Sequence, residues 1–126
     1  MQPLYTYNAT ITKIIDGDTV DAEVDLGFNI STVIRFRLIG IDTAELRSSD
    51  PAMRELALKA KVFMQQYLNQ KVSIQSFKTE KYGRWLAEIY IFGTARTINQ
   101  LLIENNLASP YFGGSRPWTN STSIIS

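Results

Sequence analysis

Three runs between residues 9 and 39 alternate apolar and polar side chains, and the connections between them are short. A two-residue period marks a strand with one buried face, so this third of the chain reads as an antiparallel meander. Residues 9–15 (ATITKII) alternate Thr10 and Thr12 with Ile11. Residues 19–26 set Val20, Ala22, Val24 and Leu26 on one face and Asp21, Glu23 and Asp25 on the other. Residues 31–39 set Ile34, Phe36 and Leu38 against Arg35 and Arg37. Asp16-Gly17-Asp18 and Gly27 supply the turns.

The period then changes. Over residues 51–68, Met53, Leu56, Ala57, Ala60, Phe63, Met64, Tyr67 and Leu68 form one helical stripe, with Asp50 suited to the N-cap and Pro51 to the first turn. Strands are expected at 71–77 and 85–91, separated by the polar loop KTEKYGR. A short helix is expected at 97–105, with Ile98, Leu101 and Leu102 inward and Asn106 as a left-handed terminator. Three strands, a helix, two strands and a helix match the layout of an OB-fold. The expected class is therefore α+β dominated by β, a five-stranded OB-fold barrel with two to three helices. Residues 1–8 read as an N-terminal extension, 9–112 as the domain and 113–126 as an irregular Ser/Thr-rich tail.

Composition narrows the chemistry. The 126 residues suit one domain, and they include no His and no Cys. Ser-His-Asp triads, thiolate nucleophiles and His- or Cys-ligated zinc are excluded. Proton transfer would fall to Asp, Glu, Lys or Tyr, and a metal would be bound through oxygen, which favours a hard cation such as calcium or magnesium. The net charge of +1 gives no global attraction to nucleic acid, so attraction must come from local clusters. No apolar run approaches the roughly 20 residues that span a membrane. The N-terminus MQPLYTYN lacks the pattern of a signal peptide, so a cytoplasmic protein is expected, or a secreted one if the chain is a trimmed mature form. The oligomeric state is not readable; a monomer is the default.

Four segments carry charge at strand ends: Asp16-Gly17-Asp18-Thr19, Arg35-Phe36-Arg37, Asp42-Thr43-Ala44-Glu45 and Lys81-Tyr82-Gly83-Arg84. Singly, each has an ordinary reading as a turn, a solvated face, a helix cap or a hairpin tip. Together they supply what phosphoryl transfer needs: carboxylates for a cation, guanidinium groups for a phosphate and a carboxylate for water. Trp85 reads as a core or rim aromatic, Lys59 and Lys61 as a solvated helix face, and Arg35 and Arg47 as at most nonspecific phosphate contacts.

In order, IDGDTV, RFRLIGIDTAE, KYGR and INQLLIENNLA resemble the staphylococcal nuclease family across roughly residues 9–112. The resemblance implies an OB-fold nuclease with a calcium site. Asp18 and Asp42 would be carboxylate ligands, and Thr43 would add its backbone carbonyl. Glu45 would activate or orient the water, and Arg37 and Arg84 would bind the phosphate. Lys81 and Tyr82 would contact a terminal phosphate of a bound nucleotide, and Tyr111 would lie near the base. The implied reaction is in-line attack of water on DNA and/or RNA, leaving 3′-phosphate ends. The chain departs from the family in three ways. Ala44 stands where Pro is usual, which removes a φ constraint from the Glu45 loop. The following stretch, LRSSD, is short, and the tail is ill-suited to a third helix.

The alternative is a non-catalytic OB-fold module that binds single strands by stacking and a basic groove. The carboxylates discriminate: without a metal, Asp18, Asp42 and Glu45 would only repel phosphate. A scaffold for protein partners would instead require an exposed apolar patch, which the sequence does not reveal.

Overall fold

The computed structural model describes residues 5–79 and 83–111. In chain order the elements are β1 (Thr6–Asp16), β2 (Thr19–Asp25), β3 (Ser31–Leu38), β4 (Ile41–Asp42), α1 (Pro51–Met64), a 3-10 turn (Gln65–Tyr67), β5 (Lys71–Thr79), β6 (Trp85–Ile91), α2 (Ile98–Glu104) and β7 (Ser109–Pro110).

The meander closes into a barrel because β1 serves two neighbours. Its ladder with β2 is irregular between Ile11 and Lys13 and again between Ile14 and Asp16. Such bulges bend a strand and increase its twist. The first part of β1 pairs with β5, through Thr6–Thr10, and the later part with β2. β6 runs antiparallel to β5 and parallel to β3, completing the closed order β1-β2-β3-β6-β5. This is the expected five-stranded barrel of OB type, with two α-helices among the described residues. β1 begins three residues before the alternation announces it, since Thr6, Tyr7 and Asn8 pair with Gln75, Ile74 and Ser73.

The inward faces agree with the alternation. Ile11, Val20, Ala22, Val24, Phe36, Leu38, Val72, Ile74, Ala87 and Ile89 are buried within the barrel. Leu26 is the exception: it lies beyond the end of β2, where the chain turns at Gly27, and is exposed.

Helix α1 starts as expected, with the Asp50 carboxylate accepting from the Ala52 N–H at 2.9 Å and Pro51 in the first turn. It stops four residues short of the apolar stripe. The chain tightens into the 3-10 turn, and Asn69 (φ 65°) donates its N–H to Ile11 O at 2.7 Å. That bond fixes the helix exit against β1. Helix α2 is capped by the Thr97 hydroxyl, which accepts from Gln100 N–H. It ends in a Schellman motif with Asn106 left-handed (φ 60°), Leu107 N–H on Leu102 O and Asn106 N–H on Ile103 O.

Two contacts absent from the sequence reading hold these parts in place. Asn99 is buried on α2. Its Oδ1 accepts from Ile89 N–H, and its Nδ2 donates to Ile39 O and Ala87 O. One amide thus ties α2 to β6 and to the segment leading into β4. Gly17, between β1 and β2, meets α1 so closely that an added Cβ would lie 2.7 Å from Ala60 Cβ and 3.1 Å from Thr43 Cγ2.

Asn99→Ala should lose about 3 kcal/mol of stability, because it leaves buried backbone groups without partners; urea unfolding of both proteins checks this, and an unchanged midpoint would contradict it. Gly17→Ala should cost about 1–3 kcal/mol through overpacking. Adding Ala60→Gly should recover part of the loss, a coupling that a double-mutant cycle measures and that simple additivity would disprove.

Candidate active site

The β1–β2 turn, the end of β3 and the short β4 meet at one end of the barrel. Gly40 (φ 83°) makes the reversal between β3 and β4. β4 then pairs with β7, and Tyr111 N–H donates to Gly40 O at 2.9 Å. Asp42 on β4 is thereby brought beside Asp18.

Arg37 sits between these two carboxylates. Its Nη2 lies 3.4 Å from Asp18 Oδ2 and 3.2 Å from Asp42 Oδ1. Its Nη1 donates to Leu38 O at 2.8 Å and to Ile41 O at 3.0 Å. The three side chains are only 14%, 11% and 6% exposed, for Arg37, Asp18 and Asp42 in turn. Burying isolated ions costs several kcal/mol each, so the charges persist here because they compensate one another and are hydrogen-bonded. The Tyr111 ring completes the surround, with its centroid 5.7 Å from the guanidinium carbon of Arg37.

Asp18 has further partners. Its Oδ1 accepts from the Thr19 hydroxyl at 3.1 Å, and its Oδ2 accepts from Thr43 N–H at 3.3 Å. Burial opposes its ionisation. The hydrogen bond with Asp16, the Arg37 charge and the Thr43 and Thr19 bonds outweigh that effect and hold its carboxyl below the usual range. Asp16 moves the other way, pushed up to about 6 by burial and by sharing a hydrogen bond with, and being repelled by, Asp18. Asp16, at the start of the Asp-Gly-Asp turn, is therefore a member of the cluster. Asp18 and Asp42 share the Arg37 guanidinium, while burial first and Asp18 second raise the proton affinity of Asp16.

Arg84 approaches from the other side, with Nη1 3.4 Å from Thr19 Oγ1. Since Thr19 also bonds Asp18, one hydroxyl links the second arginine to the first carboxylate. Glu45 lies just beyond the buried Thr43 and Ala44, and is exposed. Its loop is held by contacts that the sequence did not announce: Ser48 N–H donates to Glu45 O, and Arg54 of α1 donates to Ser48 O at 2.9 Å. With Ala44 in place of proline, these bonds restrain the segment. The fold thus gathers Asp18, Arg37, Asp42, Thr43, Arg84 and Tyr111 and sets Glu45 at the edge. Lys81 and Tyr82, like the tail at 113–126, lie outside the described residues.

The donors fit a hard cation: they are carboxylates and carbonyls, in a chain with no His and no Cys. Among the described residues no three acidic side chains stand at metal-binding spacing. A cation here would rest on Asp18 and Asp42, with the remaining positions filled by backbone carbonyl, solvent and substrate oxygen. None of the described helices is long and apolar enough to cross a membrane.

Comparison with known proteins identifies the family. The family model described as staphylococcal nuclease homologue matches residues 35–123, which include Arg37, Asp42 to Glu45 and Arg84 but not Asp18. Among curated proteins, an uncharacterized protein of Methanocaldococcus jannaschii is 32% identical over 114 residues, covering 74% of this chain and 53% of that protein. Protein ParB of Escherichia coli is 28% identical over 108 residues, covering 80% of this chain and 55% of that protein. The chain spans about half the length of both relatives. The chain belongs to the staphylococcal nuclease-like family.

Proposed function

We propose that this protein is a calcium-dependent nuclease that hydrolyses phosphodiester bonds of DNA and/or RNA by in-line attack of water, leaving 3′-phosphate ends. The observation that carries this reading is the buried cluster in which Arg37 joins Asp18 to Asp42 while Arg84 reaches Thr19 beside them. A module that only held a strand would gain nothing from burying carboxylates where phosphate must come. In this reading Asp18, Asp42 and the Thr43 carbonyl hold the cation, which supplies Lewis-acid polarisation of the phosphate and charge neutralisation when bound.

The chain's own groups supply the rest. Arg37 is oriented by two carbonyls and two carboxylates that engage both terminal nitrogens, so its fork receives phosphate oxygens as the carboxylates turn to the cation. Arg84 is steadied by the Thr19 hydroxyl and takes the opposite edge of the phosphate. Glu45, exposed to solvent, orients a water or accepts its proton. Tyr111 stacks on Arg37 and presents its ring near the base, while Lys81 and Tyr82 bind a terminal phosphate. The nucleic-acid partner comes by diffusion to a protein with no global positive charge, so capture depends on these local cations.

Digestion of labelled single-stranded DNA in calcium, and again with excess chelator, tests the proposal. Cleavage should stop with chelator; undiminished cleavage would reject the metal role, and tight binding without cleavage in calcium would favour the binding module. Glu45→Gln should lower kcat by orders of magnitude with little change in KM, and a variant with wild-type kcat would remove Glu45 from the mechanism. Arg37→Lys and Arg84→Lys should each lose about 2–4 kcal/mol in kcat/KM, since lysine keeps the charge but not the two-pronged geometry. Wild-type rates for both would reduce these arginines to groove charges.

The acid cluster offers a test in metal-free buffer. Because the Asp16 pKa is raised from 3.8 to about 6, protonated Asp16 favours the folded state. That contribution is complete below pH 3.8 and is lost as pH rises through about 6. Asp16→Asn removes the loss, so the variant should gain stability relative to the wild type between pH 4 and pH 7. A difference in urea midpoint that stays constant over this range would contradict the raised proton affinity of Asp16.

A further inference from the structure

The outer face of β2 and β3 leads away from Arg37 into a shallow groove of about 480 Å³, lined by Asp21, Val33, Arg35, Gly83 and Arg84. Arg35 is two residues before Arg37 on β3, so it projects from the same side of the strand, roughly 7 Å away. Asp21 faces it directly across the β2–β3 ladder. Arg35 donates from Nε to Asp21 Oδ1 at 2.7 Å and from Nη2 to Oδ2 at 3.1 Å. This two-pronged contact fixes the plane of the guanidinium and engages two of its five N–H donors. The side chain remains 49% exposed.

Arg84 lines the same groove and also reaches Thr19 beside Asp18. The groove is therefore continuous with the cluster. Its lining holds two guanidiniums and one carboxylate, with Asp16 also acting on Arg35. Val33, 61% exposed, adds an apolar surface that the barrel core does not use. A solvent-facing cross-strand ion pair contributes little to stability, which gives a purely structural role little weight.

We propose that this groove is a second phosphate subsite, in which Arg35, held by Asp21, takes the phosphate next along a single strand whose scissile phosphate lies between Arg37 and Arg84. Val33 packs against the intervening sugar. The subsite rests on the nuclease reading for the position of the scissile phosphate, but strand binding is measurable without cleavage.

The experiment is equilibrium binding of a fluorescent twelve-residue oligothymidylate in chelator, over a range of salt, to the wild type, Arg35→Ala, Val33→Glu and Arg96→Ala. Arg96 is paired with Glu104 next to α2 and is no part of the groove, so it controls for net charge. Arg35→Ala should weaken binding about five- to tenfold and reduce the salt slope by about 0.7, the value for one lost single-strand phosphate contact. Val33→Glu, which leaves the Asp21–Arg35 pair intact, should weaken binding in the same direction and decides the question if Arg35→Ala does not fold. Arg96→Ala should bind within about twofold of the wild type. If Arg35→Ala and Val33→Glu both behave like Arg96→Ala, the subsite does not exist. In calcium, Arg35→Ala should raise KM for the long strand by a larger factor than for a dinucleotide. Absence of cleavage by the wild type would overturn the nuclease reading while the binding comparison still judged the subsite.

Discussion

The Arg37 guanidinium is the interaction on which this end of the barrel depends. It takes two carbonyls from the β3–β4 reversal and one carboxylate from each of β2's approach and β4. Without it, Asp18 and Asp42 would be like charges in a poorly hydrated space, and burial would push them toward protonation. Without the carboxylates, a guanidinium that is 14% exposed would lack compensation. Each group makes the others tenable. In the nuclease reading the same arrangement would serve a phosphate once a cation draws the carboxylates from a guanidinium that is already in place.

The barrel supplies the precision for that cluster through packing rather than through charge. Gly17 lets α1 and Thr43 close on the turn that carries Asp16 and Asp18. Asn99 links α2 to β6 and to Ile39, three residues before Asp42. Helices on two sides of the barrel therefore act on the two carboxylate-bearing segments. The contacts are made by small or neutral residues, so their cost appears as lost stability, and their effect on chemistry as displaced carboxylates.

Much of this was legible in the sequence, for identifiable reasons. Alternation over β2 and β3 fixes which side chains face inward, so Phe36 inward and Arg37 outward followed directly. Asp50 and Pro51 announced the start of α1, and Asn106 the end of α2, because caps have local causes. What stayed hidden depends on partners distant in sequence. Asn99 looks like an ordinary polar helix residue until β6 and Ile39 come beside it. Gly17 reads as a turn glycine, although close approach to Ala60 is what requires it. Asp16 seemed a turn residue, and its altered proton affinity arises from burial and Asp18. The β2–β3 turn was visible at Gly27, but the left-handed conformation of Phe28 was not, since a bulky residue does not advertise positive φ. The motif match covers Arg37, Asp42 and Arg84, whereas the role of Arg54 in holding the Glu45 loop required the fold.

The central proposal is that Asp18, Asp42 and Arg37 form one electrostatic unit that a hard cation would enter. A calcium titration followed by NMR tests it most directly, recording the side-chain carboxyl carbons of Asp18 and Asp42 together with the Arg37 Nε–H. The account predicts that all three signals move along a single saturable isotherm, and that Asp42→Asn weakens that isotherm sharply. Calcium that leaves these signals unmoved, or that binds the Asp42→Asn variant as tightly as the wild type, would contradict it.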